Sequence, residues 1–285
     1  MSAGASATPV TVLGASGRIG RRLVERLRAQ GLDVRSPARD DPAIFDQPLG
    51  AVVYAIGLTA DFRQRPFDTV EAHVSLLSRL LQRARFQTLV YLSSTRVYAA
   101  SAHGREDRPL AVQPSDPSDL YNLSKLMGES VCLNSGNAGI RVARLSNVVG
   151  PVQAGSANFL DSLVGDALRG EVVMQSAPAS AKDYLHLDDA VDLIGRMLQS
   201  GSHRLYNLAS GEAIRHETWT QQLQQLTGCR VLWTPGAPVQ SFPAIDIERI
   251  RQDFGFSPRS VLADFPHWLS QARAGQATAT QEQRP

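Results

Sequence analysis

Val10-Thr11-Val12-Leu13-Gly14-Ala15-Ser16-Gly17-Arg18-Ile19-Gly20 is the stretch on which the fold reading turns. Its first four residues are apolar or β-branched and read as a buried strand. From Ile19 to Gln30 the apolar residues Ile19, Leu23, Val24 and Leu27 recur at helical spacing, and Gly31 ends the run. Between strand and helix lie glycines at 14, 17 and 20. Such a turn lets backbone approach a phosphate closely and leaves free N–H groups at the positive end of a helix. A dinucleotide pyrophosphate fits that cradle, so Gly14, Ala15, Ser16, Gly17, Arg18 and Ile19 are expected cofactor contacts. The spacing is G-x-x-G-x-x-G rather than G-x-G-x-x-G, and glycine-rich turns also occur without a ligand. The flanking strand and helix carry the reading.

Working outward, Leu32–Arg35, Ala51–Ile56, Thr88–Leu92 and Ile140–Leu145 read as further strands. Val70–Arg83 and Tyr121–Leu133 read as helices. Continuous apolar strands separated by helices predict a parallel sheet covered on both faces. The expected architecture is α/β, a Rossmann-type doubly wound sheet over residues 9–150, to which residues 184–200 return as a helix. After Gly150, prolines at 151, 178, 235, 238, 243, 258 and 266 break the pattern into short pieces. A smaller irregular C-terminal substrate lobe is expected from 151–183 and 201–271. The tails 1–8 and 272–285, rich in Ala, Gly, Gln and Thr, are expected to be disordered.

Composition narrows the function classes. The chain has 285 residues, 43% hydrophobic and 20% charged, enough for a sizeable core. Lys+Arg 29 against Asp+Glu 27 leaves a formal charge of +2, no field to capture nucleic acid or a membrane surface. No apolar run approaches the roughly 20 residues that span a bilayer. Two cysteines, Cys132 and Cys229, make no disulfide framework and have no metal-ligand spacing, which favours a cytoplasmic location. His73, His186, His203 and His216 are far apart, so core or surface roles are expected and no metal site. Trp219, Leu223 and Leu226 have the spacing of a packed helix face.

Three patterns carry chemistry. Tyr121 and Lys125 stand four apart on one predicted helix face, so a phenol and an ammonium can address one substrate. Six tyrosines and two lysines would give about 0.04 such pairs by chance. The chain uses Arg at nearly every other basic position, so lysine at 125 points to a need for a compact ammonium. A neighbouring positive charge would favour the phenolate. Ser93-Ser94-Thr95 follows a parallel strand, where open α/β sheets bind ligands, although the same residues also suit a plain turn. The ribose-binding acid expected about 20 residues after the first glycine is absent. Arg35 stands there with Arg39 close behind, and Arg18 could assist. Guanidinium groups would bind a 2′-phosphate, so NADP(H) is favoured with NAD(H) possible; the alternative is solvated surface charge.

Taken together, Gly14-x-x-Gly17-x-x-Gly20, Ser93-Ser94-Thr95-Arg96-Val97-Tyr98, Tyr121-x-x-x-Lys125, Arg144-Leu145-Ser146-Asn147 and Lys182-Asp183-Tyr184-Leu185-His186 make the chain resemble extended short-chain dehydrogenase/reductases. The resemblance is to their NAD-dependent epimerase/dehydratase group, which acts on nucleotide-activated sugars, and covers about residues 9–260. It implies Tyr121 as acid/base, Lys125 on the nicotinamide ribose and lowering the tyrosine pKa, and Ser94 as the catalytic hydroxyl. It implies cofactor contacts at Ala55, Ile56, Gly57 and Ser93. Substrate contacts would come from Ser94, Thr95, Asn147 and Lys182, the last replacing a common arginine. Asp188 and Asp189 would be structural. Family 4,6-dehydratases carry Asp and Glu where this chain has Thr95 and Arg96, which argues against elimination. A homodimer through the helices Val70–Arg83 and Tyr121–Leu133 is the family's habit. Three functions stay open: reduction of a keto-sugar nucleotide (a 4-keto reductase type), epimerisation with retained NAD, and dinucleotide binding without turnover.

Overall fold

The computed structural model describes residues 8–156 and 158–282. At its centre is a parallel sheet of six strands: β1 (Val10–Leu13), β2 (Val34–Arg35), β3 (Ala51–Tyr54), β4 (Thr88–Ser94), β5 (Ile140–Leu145) and, far later in the chain, β9 (Leu205–Leu208). Their spatial order is β2-β1-β3-β4-β5-β9. The chain moves one way from β1 to β2 and the other way to β3. The carboxyl ends of β1 and β3 therefore flank the crevice in which such sheets bind ligands.

Helices cover both faces, as continuous apolar strands require. On one face α1 (Arg18–Ala29) and α7 (Leu187–Gln199) pack Leu23, Leu27, Leu193 and Ile194 on Val10, Val12 and Val53. Arg22 pairs with Asp188 at 2.7 Å and Arg26 with Asp192 at 2.8 Å, half-exposed bridges that orient the two helices more than they stabilise them. On the other face lie α2 (Ala43–Asp46), α3 (Pro66–Val70), α4 (Leu76–Arg83) and α5 (Asp119–Asn134). There Ile44, Leu76, Leu77, Leu80 and Cys132 bury Tyr54, Leu89 and Tyr91.

The second lobe is less irregular than its prolines suggested. It contains β6 (Asn147–Val149), β8 (Ala181–His186) and β10 (Ala213–Arg215) as one small sheet, and β7 (Glu171–Met174) with β11 (Arg230–Trp233) as another. With α6 (Phe159–Leu168) and α8 (His216–Thr227) these enclose their own core around Trp219, Phe265 and Trp268.

Two boundaries differ from the sequence reading. Residues 201–271 are not all in the lobe: β9 is the sixth strand of the main sheet, and α9 (Glu248–Phe254) packs Ile250 and Phe254 onto the main core. Tyr206 and Leu208 are wholly buried there, in a strand fixed by a partner distant in sequence. The C-terminal segment is also not a disordered tail up to residue 282. It continues α10 (Val261–Glu282), a helix that accommodates Pro266 within it. Val261, Phe265, Trp268 and Leu269 anchor the first turns, and alanine-rich sequence propagates what packing has nucleated. The expected disorder of 1–7 and 283–285 falls outside the described residues, and Thr8 is exposed.

Candidate active site

Why the glycine turn is built as it is can be read position by position. Gly14 has φ +86°, and a Cβ there would lie 2.7 Å from the backbone of Ala55. A Cβ on Gly20 would lie 2.3 Å from the Gly14 carbonyl oxygen. These two glycines bring β1, β3 and α1 together. Gly17 instead is the N-cap of α1 and supplies no side-chain cap, so the first N–H groups of the helix point outward unclaimed.

A cavity of about 550 Å³ opens at this point. It brings together most of the anticipated residues: Gly17, Arg18, Ile19, Ala55, Ile56, Gly57, Ser93, Ser94, Thr95, Tyr121, Lys125, Asn147 and Lys182. Gly14, Ala15 and Ser16 are not on its wall. Gly14 is occupied with packing, and the Ser16 carbonyl accepts a hydrogen bond from Arg21. Arg35 and Arg39 also lie off this wall and are exposed. Arg35 stands 3.9 Å from Asp33 and donates to the Pro48 carbonyl. Arg18 does not turn toward them. Its guanidinium is held by Asp161 of α6 and the Pro151 carbonyl, so it ties the glycine loop to the second lobe while its Nε remains buried without a partner.

The donor set fits a nicotinamide dinucleotide. The N–H groups that follow Gly17 in the first turn of α1, uncapped by any side chain, and the orphaned Nε of Arg18 suit a pyrophosphate, and Gly57 lies close beside Lys125.

Tyr121 and Lys125 reach the same wall from α5, whose helical turn puts i and i+4 on one face. Both side chains are nearly enclosed, and Lys125 Nζ donates to the Leu92 carbonyl at 2.9 Å. Burial brings the Lys125 ammonium down to about 7, with Glu129 opposing that shift. The expected lowering of Tyr121 by Lys125 is not what the protein alone exhibits. Burial raises the Tyr121 phenol above 10.0; a hydrogen bond with the Ser94 hydroxyl and the charge of Arg96 pull it back. Desolvation of a phenolate outweighs a positive charge that is itself partly titrated. Ser93 was expected on the cofactor, yet its hydroxyl donates to Glu129 at 2.5 Å. Glu129 in turn grips Arg144 through bonds of 2.6–3.2 Å, and Arg144 donates to Tyr98, which donates to Asn207. Asn147 donates to the Asp183 carbonyl at 2.8 Å while its residue faces the cavity.

His73 is a residue whose role the sequence left open. Between α3 and α4 the helix widens into a π turn, Glu71–Ser75. The loosened carbonyls are satisfied from the sheet: Tyr54 donates to the Ala72 oxygen at 2.7 Å and Tyr91 to the His73 oxygen at 3.2 Å. Gly128 of α5 sits directly against this turn, where a Cβ would lie 2.4 Å from the Tyr91 hydroxyl. The His73 ring is wholly buried. Its Nε2 accepts from the Leu58 N–H at 3.1 Å, so Nδ1 carries the hydrogen and donates to Ser124 Oγ at 2.8 Å. Ser124 passes its own hydrogen to the Tyr121 carbonyl at 2.9 Å, and the His73 ring stands edge-on to the Tyr121 ring. Burial drives His73 down to about 2, so it stays neutral and braces both the backbone at Leu58 and the Tyr121 phenol. The sequence signal for it was a histidine on the apolar stripe Thr69, Ala72, Leu76, Leu77, Leu80. Among the described residues no cluster of His, Cys, Asp and Glu could hold a metal, and no helix is long and apolar enough to cross a membrane.

Comparison with known proteins places this geometry. Residues 10–209 match the model of the NAD dependent epimerase/dehydratase family. A dTDP-6-deoxy-L-talose 4-dehydrogenase (NAD(P)(+)) from Kitasatospora kifunensis is 28% identical, covering 93% of this chain and 96% of the relative. A dTDP-4-dehydro-6-deoxy-D-allose reductase from Streptomyces bikiniensis is 24% identical over 91% and 95% of the two chains. Among solved structures, MoeE5 in complex with UDP-glucuronic acid and NAD superposes with a TM-score of 0.77 at 23% identity, covering 93% of this chain and 99% of that one. A parallel sheet with its glycine turn, a Ser-Tyr-Lys wall and the family match over most of the chain agree: the protein belongs to the NAD-dependent epimerase/dehydratase family.

Proposed function

We propose that the protein is an oxidoreductase that reduces a keto group on a nucleotide-activated sugar. The observation that carries this is the convergence of Ser94, Tyr121 and Lys125 with Gly17 and Ala55–Gly57 on one cavity wall. When bound, a nicotinamide dinucleotide supplies the hydride or takes it back in the reverse direction. Tyr121 gives its phenolic proton to the carbonyl oxygen as that carbon accepts hydride, and a phenolate remains. The Ser94 hydroxyl holds the same oxygen. Arg96 and Lys125 supply positive charge beside the phenolate, with Nζ and Cζ 5.9 Å and 5.7 Å from the Tyr121 ring centroid. Near-complete enclosure of Tyr121 and Lys125 keeps water from competing for that proton.

Burial favours the direction of reduction, because it keeps Tyr121 in the phenol form that donates. Thr95 and Arg96 take the positions of the acid pair of family dehydratases, which disfavours elimination. The two relatives named above, a 4-dehydrogenase and a reductase of dTDP-sugars, lend the same support. An epimerase would retain its NAD; assaying the dinucleotide released on denaturing the purified protein distinguishes the readings. The decisive test is NADPH consumption with keto-sugar nucleotides, and no turnover across a panel of uridine and thymidine diphosphate keto-sugars would overturn the proposal.

NADP(H) is the preferred cofactor in this reading, on the strength of Arg35, rather than an acid, at the end of β2, with Arg39 close behind. NADPH should bind more tightly than NADH, and Arg35→Asp should erase about tenfold of that preference. Equal or tighter NADH binding by the wild type would refute it. Residues 151–183 with β10, α8 and β11 form the substrate-holding lobe. A homodimer through the helical stretch Val70–Arg83 and α5 would cover exposed Val70 and Met127. Light scattering should return twice the chain mass.

A further inference from the structure

Arg18 is the residue at which the two sides of the cavity meet. It opens α1 on the sheet side, where Gly17, Arg18 and Ile19 line the wall. Its Nη1 donates to Asp161 and its Nη2 to the Pro151 carbonyl at 2.9 Å, both in the second lobe. The pair is enclosed, with the Asp161 side chain 2% exposed and that of Arg18 12%. Nε of the same guanidinium is buried without a partner. One planar group therefore has both outer nitrogens engaged by the lobe and its Nε–H unanswered.

Asp161 brings the substrate side of the cavity with it. It lies in the first turn of α6, behind the cavity wall, and Asn158 caps that turn by accepting from the Leu160 N–H at 3.3 Å. Asn158 and Phe159 face the cavity there. Phe159 stacks on His216 with ring centroids 4.6 Å apart, and the Lys182 Nζ of β8 stands 5.2 Å from the Phe159 ring centroid. A shift of α6 thus shifts the ring against which the substrate-side ammonium rests.

Removing one partner of a buried ion pair costs about 3–5 kcal/mol, so the glycine turn and the start of α6 hold together as one piece. A pyrophosphate at the first turn of α1 brings an acceptor to the free Nε–H and displaces neither existing bond. The guanidinium is then held from both sides, and α6 is already fixed when a second ligand arrives. That ligand binds more tightly, and by linkage it tightens the dinucleotide by the same factor.

Resting on the nucleotide-sugar reading above, we infer that the Arg18–Asp161 bridge couples the two sites: a dinucleotide at the glycine turn raises the affinity of the second lobe for the nucleoside diphosphate part of the substrate. Asp161 is a positioning residue in this scheme, acting through Arg18 from behind the wall.

Calorimetric titration of UDP and of dTDP tests this, into the free protein and into protein saturated with whichever of NADPH and NADH binds more tightly. Neither diphosphate has a sugar to meet the nicotinamide, so the ratio of the two affinities reports on the lobe. In wild type the loaded protein should bind at least one diphosphate about fivefold or more tightly than the free protein does. Asp161→Asn should bring that ratio close to one while the dinucleotide still binds. Arg18→Met combined with Asp161→Leu replaces the bridge by apolar contact; it should also abolish the ratio, with thermal melting near wild type. Lys182→Gln should weaken the diphosphates in both forms of the protein and leave the ratio intact. A ratio that survives in Asp161→Asn or in the double variant overturns the inference. Equal binding with and without dinucleotide in wild type refutes the coupling alone and leaves the nucleotide-sugar reading standing. If neither UDP nor dTDP binds either form, that reading fails and the coupling falls with it.

Discussion

The buried polar groups around the cavity are of two kinds. In the chain Ser93–Glu129–Arg144–Tyr98–Asn207, carboxylate and guanidinium meet over 2.6–3.2 Å and each hydroxyl has a partner. On the cavity wall, Arg96 and Arg18 each keep a buried Nε with none. The first cluster is closed and serves stability. The second is open and serves binding, since only a ligand can complete it. The difference separates residues whose loss should unfold the protein from residues whose loss should silence it.

The most severe expected effect breaks function and spares the fold. Tyr121→Phe removes the proposed proton donor and should lower turnover by about 10²–10⁴-fold while dinucleotide binding and thermal melting stay near wild type. Full activity in that variant would end the mechanism. On the closed side, Glu129→Ala leaves Arg144 buried without its partner, and denaturant unfolding should report a loss of about 3–5 kcal/mol. A change below about 1 kcal/mol would mean that the cluster is not closed after all. Smaller again is Gly128→Ala, which drives a methyl group into the Tyr91 hydroxyl and the π turn. A loss of about 1–3 kcal/mol is expected, accompanied by a fall in turnover because His73 moves with that turn.

A further effect sharpens the comparison through pH. Lys125 titrates at about 7 when folded, against 10.5 for the free group. Between those values the unfolded chain holds a proton that the folded chain has released, so stability rises with pH across that window. Lys125→Met should therefore be more stable than wild type at pH 7, with the gap narrowing toward pH 10. A gap that stays constant between pH 7 and 10 would show that Lys125 is not the buried base described.

The glycine turn, the first five strands and the Tyr121–Lys125 pair were legible because each is local: period, spacing and cap residues lie within a dozen positions. The bracing of Tyr121 by His73 was not, since it depends on a π turn whose carbonyls are claimed by tyrosines of two strands. Nor was the tie between Arg18 and Asp161, residues 143 apart in sequence. β9 was misplaced for the same reason: its partner β5 ends 60 residues earlier, and only the sheet tells it where to lie. The C-terminal helix went unread because alanine, glutamine and threonine resemble a linker until a tryptophan-rich core gives them something to extend from.

The hold of Tyr54 and Tyr91 on the widened turn has a thermal consequence. The groups that position the Tyr121 phenol are hooked to the deepest layer of the molecule, not hinged at its rim. Warming should therefore leave the enzyme working until the interior itself gives way, with inactivation and loss of aromatic ellipticity falling on one temperature curve.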